Sequence, residues 1–269
     1  MNYKTIASFL KILLITNLLT IGLYGCGGGG GDSVIIFEEK ESFSFEVTVD
    51  NHDQFNLLGV NSEIIITGES GADSVMITAI KIVQSTISTL DAKEHLQELE
   101  VDWESVANTV SVETIQPKDT AERNYRVDYT ITLPKYFKIQ VNSVNAVVTL
   151  NSIENDVTVN IANGEVTLLN IYGSALVNLA NGAIDSEVAL PLQGTIDLKV
   201  ATGGHIHLAI PINTSAEFSA NTLFGNINVS SVFVFQDEVK TSTSLSGTLG
   251  SGQGMISLGT MGDISVSGF

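Results

Sequence analysis

The chain has a single cysteine, few cationic side chains and no long hydrophobic run, and each shortage removes a class of protein. Cys26 has no second cysteine to join, so the fold must rest on burial and backbone pairing. Only 12 Lys and Arg stand against 30 Asp and Glu, a formal net charge of -18. A nucleic-acid partner needs a basic face and an anionic membrane surface attracts basic clusters, so neither is expected as a direct partner. The acidity reads instead as solubility outside the cell. The apolar run at residues 12–22 is too short to span a bilayer as a stable helix.

That run sits in a targeting segment. Lys4 and Lys11 flank its weakly apolar start, and Leu23-Tyr24-Gly25-Cys26 follows it. The arrangement resembles the lipobox of bacterial lipoproteins, with Tyr24 bulkier than the small residue usual at its place. The resemblance implies removal of residues 1–25 as a signal peptide, a diacylated Cys26 sulfur and an acylated new N-terminus. Several acyl chains together give stable anchoring where one would be marginal. Residues 26–41 are expected as the lipidated Cys and a tether that starts with the five glycines of residues 27–31. Asp directly after the Cys resembles an inner-membrane retention signal, and Gly27 stands there, which favours a cell-envelope address at the outer membrane.

What the sequence does have is a repeat. Gly-x-Ile/Val-x-Leu/Val returns as Gly164-Glu165-Val166-Thr167-Leu168, Gly194-Thr195-Ile196-Asp197-Leu198, Gly204-His205-Ile206-His207-Leu208 and Gly225-Asn226-Ile227-Asn228-Val229. It closes the chain as Gly254-Met255-Ile256-Ser257-Leu258 and Gly262-Asp263-Ile264-Ser265-Val266. Asn145-Ala146, Asn163-Gly164 and Asn181-Gly182 follow one another at 18 residues, with half-steps at Asn155, Gly173 and Gly194. Self-similarity at this period is the mark of a solenoid whose units bury their apolar faces against each other. Alternation with period two, rich in Val, Ile and Thr, makes the units β. Gly and Asn are expected at the corners because they tolerate φ > 0. Val166, Ile184, Ile206 and Ile227 are expected to stack as one inward ladder, each beside the next.

Residues 42–134 read differently. Strands are expected around Phe43 to Val49, Ile64 to Ile66 and Val75 to Val83, then at Leu99 to Trp103, Val110 to Ile115 and Tyr125 to Pro134, where a proline ends the ladder. One helix near 89–99 interrupts them, capped by Ser88 or Thr89, with Asp91 in its first turn and Ala92, Leu96 and Leu99 on one face. Residues 135–269 carry the solenoid, continuous with this part. The whole order resembles the bacterial putative-adhesin family, also called adhesin-like or head-domain proteins, over most of the mature chain. That resemblance implies an all-β parallel β-helix (β-solenoid) on a lipoprotein or surface protein, with no catalytic residues defined.

Candidate chemistry is sparse. His205 and His207 are two apart on a strand and share a face, a possible metal pair lacking a third ligand; with Ile206 and Leu208 inward, they read as solvated. The turns Ala162-Asn163-Gly164 and Ala180-Asn181-Gly182 lack the Asp residues of calcium-binding β-rolls. A polysaccharide-acting enzyme would need grouped carboxylates, whereas Glu165, Asp185, Glu187 and Asp197 are scattered and no arginine follows Arg126. Tyr172, Phe218, Phe224, Phe233 and Phe235 read as core or end packing. The expectation is a non-enzymatic, membrane-anchored surface lipoprotein, without cofactor or metal, that binds a glycan, a protein or a neighbouring cell. The alternative is an envelope spacer without external ligand.

Overall fold

A computed structural model of the protein describes residues 34–269, so the signal segment and Cys26 lie outside the described residues. The described chain is all-β with one short helix, and its strands join into one connected sheet of mixed, mostly parallel pairing. The first part holds β1 (Phe37–Thr48), β2 (Gln54–Leu58), β3 (Asn61–Glu69), β4 (Ser74–Ser85), α1 (Thr89–Leu96), β5 (Glu100–Val106), β6 (Thr109–Ile115) and β7 (Asn124–Pro134). Three long strands follow, β8 (Lys138–Ile153), β9 (Val157–Ile171) and β10 (Ala175–Val188). The rest are short: β11 (Thr195–Thr202), β12 (Ile206–Ile210), β13 (Ala216–Thr222), β14 (Ile227–Val229), β15 (Phe235–Lys240), β16 (Ser244–Leu249), β17 (Gly254–Thr260) and β18 (Ile264–Gly268).

The 18-residue period is the register of the long strands. β8, β9 and β10 pair in parallel, Asn145 with Asn163 with Asn181 and Val148 with Val166 with Ile184. Each runs through a corner, and the corner needs glycine in two of them. Gly164 and Gly182 have φ of 147° and 142°, and a Cβ on Gly182 would stand 1.7 Å from the Gly164 carbonyl oxygen. The asparagines at these corners are not there for positive φ, since none of the three has it. Two of them extend an amide ladder to Asn61, Asn163 Nδ2 donating to Asn145 Oδ1 at 3.0 Å and Asn145 Nδ2 to Asn61 Oδ1 at 2.7 Å.

On either side of the corner the neighbours differ. Before it the strands lie in the order β5-β6-β2-β8-β9-β10-β11-β17-β13-β16-β15. After it the order is β1-β4-β7-β3-β8-β9-β10-β12-β18-β14. Both orders leave chain sequence at both ends. β2 and β3 are slotted between β6/β7 and β8, and the last two strands, β17 and β18, are slotted between β11/β12 and β13/β14.

This corrects the expected ladder. Ile206 pairs with Ile184 on one side, but its other neighbour is Ile264, and Ile227 lies beyond Ile264. The reason is that Gly262 to Val266 carries the same alternation as Gly225 to Val229, so either copy satisfies the backbone and side-chain demands of the place next to β12. Ile206 and Ile264 are fully buried, whereas Ile227 on the outermost strand is only partly covered. One parallel ladder carries a polar interruption. Ser186 sits between Leu168 and Leu208, and its buried hydroxyl donates to the His207 carbonyl at 2.9 Å.

The inward parity itself holds, with Ile206 at 0% exposure and the flanking His205 and His207 side chains at 56% and 42%. Replacing Ile206 with Asp should therefore cost at least the roughly 2–5 kcal/mol of a buried aliphatic deletion, with a further penalty for an unpaired buried carboxylate. His205→Ser should stay within about 0.5 kcal/mol. Thermal melts of the two variants check this, and equal losses would show the faces assigned the wrong way round.

In the first part the helix is where its signals put it. Ser88 Oγ accepts from the Asp91 backbone N–H, and Ala92 and Leu96 are buried. Leu99, expected on the same face, is buried just beyond the helix end. Arg123 grips Asp91 with two hydrogen bonds of 2.8 and 2.6 Å, and with the Ser85 hydroxyl it holds that carboxyl far below the usual range. β1 starts at Phe37, inside the stretch expected as tether. Its residues before 42 pair with β4, and Glu41 forms an ion pair with Lys81. β2 has no counterpart among the expected strands.

Candidate functional site

A groove of about 960 Å³ crosses the strands at the corner of the long repeats. One rim is a register column: Asn142, Asn160, Asn178, Lys199, Gly259 and Asn221 are successive partners on β8, β9, β10, β11, β17 and β13. The 18-residue period places an asparagine at each of the first three steps. Asn160 Nδ2 donates to Asn142 Oδ1 and Asn178 Nδ2 to Asn160 Oδ1, each at 3.0 Å. Ala162, Ala180 and Ala201 line the groove one corner position on, too small to fill it. Leu223 and Met261 line it on the segments after β13 and β17. No Asp or Glu is among the lining residues, although Lys199 Nζ reaches out to Asp197 Oδ2 at 2.6 Å.

The residues singled out in the sequence lie elsewhere. His205 and His207 flank Asp185, at 3.9 and 3.6 Å from its carboxylate, because Asp185 is the register partner of His207 on β10. His207 also meets Ser267 Oγ at 3.1 Å. Asp185 is thus a neighbour that spacing alone had not supplied, yet among the described residues no group of three or more His, Cys, Asp or Glu is placed to hold a metal ion. The carboxylates are dispersed. Glu165 and Asp185 lie past the corner in β9 and β10, while Asp197 lies before it in β11, paired with Lys199. Glu187 pairs with Ala209 on the Asp185 side. Arg126 is in the first part, bonded to Asp128 and Glu63.

The aromatic side chains divide. Phe218 and Phe233 are buried, and the Phe218 and Phe235 rings meet at 5.2 Å near the C-terminal end. Tyr172 and Phe224 are exposed, at 53% and 78%. A smaller pocket adjoins the groove at Asn142 and is lined by Asp102, Glu104 and Glu113. Among the described residues no helix is long and apolar enough to cross a membrane. The groove went unnoticed in the sequence, although the 18-residue recurrence of Asn142, Asn160 and Asn178 was there to signal it.

No family model matches the chain, and no curated protein matches it. Solved structures do. A protein from Clostridium sporogenes described as a "putative cell adhesion protein" aligns with a TM-score of 0.50 at 13% identity, covering 86% of this chain and 100% of its own. A "putative adhesin" from Bacteroides fragilis aligns at 11% identity over 85% of this chain and 97% of its own, with a TM-score of 0.30. A "putative lipid binding protein" from Parabacteroides distasonis aligns at 9% identity over 84% and 96%, with a TM-score of 0.31. At these identities the likeness speaks of fold alone, and the chain shares that of the Clostridium sporogenes protein.

Proposed function

We propose that this chain is a non-enzymatic adhesin-like lipoprotein of the bacterial cell envelope, its repeats forming coils of a β-solenoid displayed from the outer membrane. One observation carries the reading. The groove at the corner of the repeats has no Asp or Glu lining it, and its one lysine, Lys199, is paired with Asp197, while the carboxylates of the repeats are spread over different faces. Such a surface suits recognition, since catalysis on a polysaccharide needs paired carboxylates at defined separation. The fold shared with the Clostridium sporogenes protein supports this without adding a ligand. Full chain purified in a detergent without sugar groups should bind whole cells saturably; an absence of binding to any cell type tried would leave the spacer role instead.

The anchor has its own test. Lipid on Cys26, behind a glycine tether, is the only apolar attachment this reading provides once residues 1–25 are removed. Cys26→Ser should move the protein from the membrane fraction to the soluble one. A variant still membrane-bound at mature mass would remove the lipoprotein part of the proposal.

A further inference from the structure

We propose that the groove along the Asn142-Asn160-Asn178 ladder is a binding site for an unbranched neutral glycan lying across the strands; this rests on the adhesin-like reading above and names its ligand class. Three observations point there.

The first is the repeat distance. Six strands contribute successive rim positions, from Asn142 on β8 to Asn221 on β13. Paired strands lie about 4.8 Å apart, so the rim is periodic at close to the length of one pyranose residue in an extended chain. An extended peptide advances about 3.4 Å per residue and loses phase with the rim within two steps. A glycan can set one ring against each strand and stay in step with the rim, its alternating faces meeting a row of amide groups at the Asn142, Asn160 and Asn178 steps.

The second is the bonding capacity left at the rim. An asparagine amide has two N–H donors and an oxygen that accepts twice. In the ladder Asn160 gives one N–H to Asn142 and takes one from Asn178. One donor and one lone pair remain, the combination a sugar hydroxyl uses, since it both donates and accepts. The ladder fixes the orientation of the amides in advance, so little side-chain freedom remains to be lost on binding.

The third is charge and shape. In a chain of net charge -18 the groove has no Asp or Glu lining it. A neutral polar ligand therefore meets no carboxylate to desolvate. The methyl groups of Ala162, Ala180 and Ala201 offer a shallow apolar strip against which the C–H face of a sugar can rest.

The test titrates the full chain, in sugar-free detergent, with chitohexaose, cellohexaose and xylohexaose and with the corresponding disaccharides. At least one hexaose should bind, at least tenfold more tightly than its disaccharide, because it spans the whole rim in place of two strands. Ala180→Trp fills the middle of the groove from an exposed position and should weaken that binding at least tenfold with an unchanged melting temperature. His205→Ser, on another face, should leave it unaltered. Equal binding of the hexaose by Ala180→Trp and the unaltered protein would overturn the site. So would no hexaose bound at millimolar concentration, or saturable binding of an unstructured Ala-Ser peptide instead. If cells are bound equally with and without Ala180→Trp while no hexaose is, the groove inference fails and the adhesive reading stands; if neither cells nor hexaoses are bound, both fail.

Discussion

Removing the last 16 residues, 254–269, should unfold the C-terminal third of the stack, although a cut at a terminus ordinarily trims only a fraying edge. The reason is the place of β17 and β18. β17 pairs with β11 on one side and β13 on the other, and β18 pairs with β12 and β14, so the deleted strands are an internal row. Ile256, Leu258, Ile264 and Val266 are buried there at 1, 1, 0 and 4% exposure. Four such side chains at roughly 1.5–3 kcal/mol each amount to about 6–12 kcal/mol, comparable with the whole stability of a typical domain. The parallel backbone pairing on both flanks is lost as well. Hydrogen exchange should find β13 to β16 unprotected in the truncated chain while β8, β9 and β10 exchange as before. Native protection of β13 after the cut would show that β17 does not lie between β11 and β13.

Gly182→Ala should be among the most damaging single methyl additions in the repeats, with Gly164 and Gly204. The residue has φ of 142°, a region side chains rarely enter, and the strain alone costs on the order of 1–3 kcal/mol. In addition, the new Cβ would lie 1.7 Å from the Gly164 carbonyl oxygen and 2.8 Å from its carbon. Both are backbone atoms of the neighbouring strand and have no rotamer by which to retreat, so β9 and β10 must separate at the corner. A loss above about 3 kcal/mol is expected, which for a chain of this size is a fall in melting temperature of roughly 6–12 °C. Gly71→Ala is the control. Its φ of 76° is also positive, but nothing lies within 4 Å of the added carbon, so it should lose only about 1 kcal/mol. Similar losses at the two positions would mean that strain, and not the close approach of strands, governs the corner.

How far the fold could be read in the sequence depended on whether the information was local. Alternation placed Ile206 inward and His205 outward because side-chain parity is a property of a strand by itself. The 18-residue spacing of Asn145, Asn163 and Asn181 gave their true register because those three copies are consecutive in space as well as in the chain. It misled at Ile227, where the spatial neighbour comes from 37 residues further along the chain, Ile264. Nothing in either Gly-x-Ile-x-Leu/Val copy distinguishes the two orders, since both fill the same ladder. β2 was missed for a related reason: Phe55 and Leu57 are its only apolar alternation, and its parallel partners lie on β6 and β8, far along the chain. The rim of the groove was legible as a spacing, but its depth was not. That depth depends on the alanines of β9, β10 and β11 standing side by side behind the rim, which only the register brings together.

The shared register of β8, β9 and β10 gives the molecule a natural point of growth. An additional 18-residue repeat placed between β9 and β10 would meet on each side the pairing those strands already make, Asn with Asn and Val or Ile with Val or Ile. The two ends offer no such opening, because each is closed by a row taken out of chain order. Duplication within the gene would therefore lengthen this architecture from its middle, one strand spacing of about 4.8 Å at a time, and carry one more asparagine into the rim with every copy.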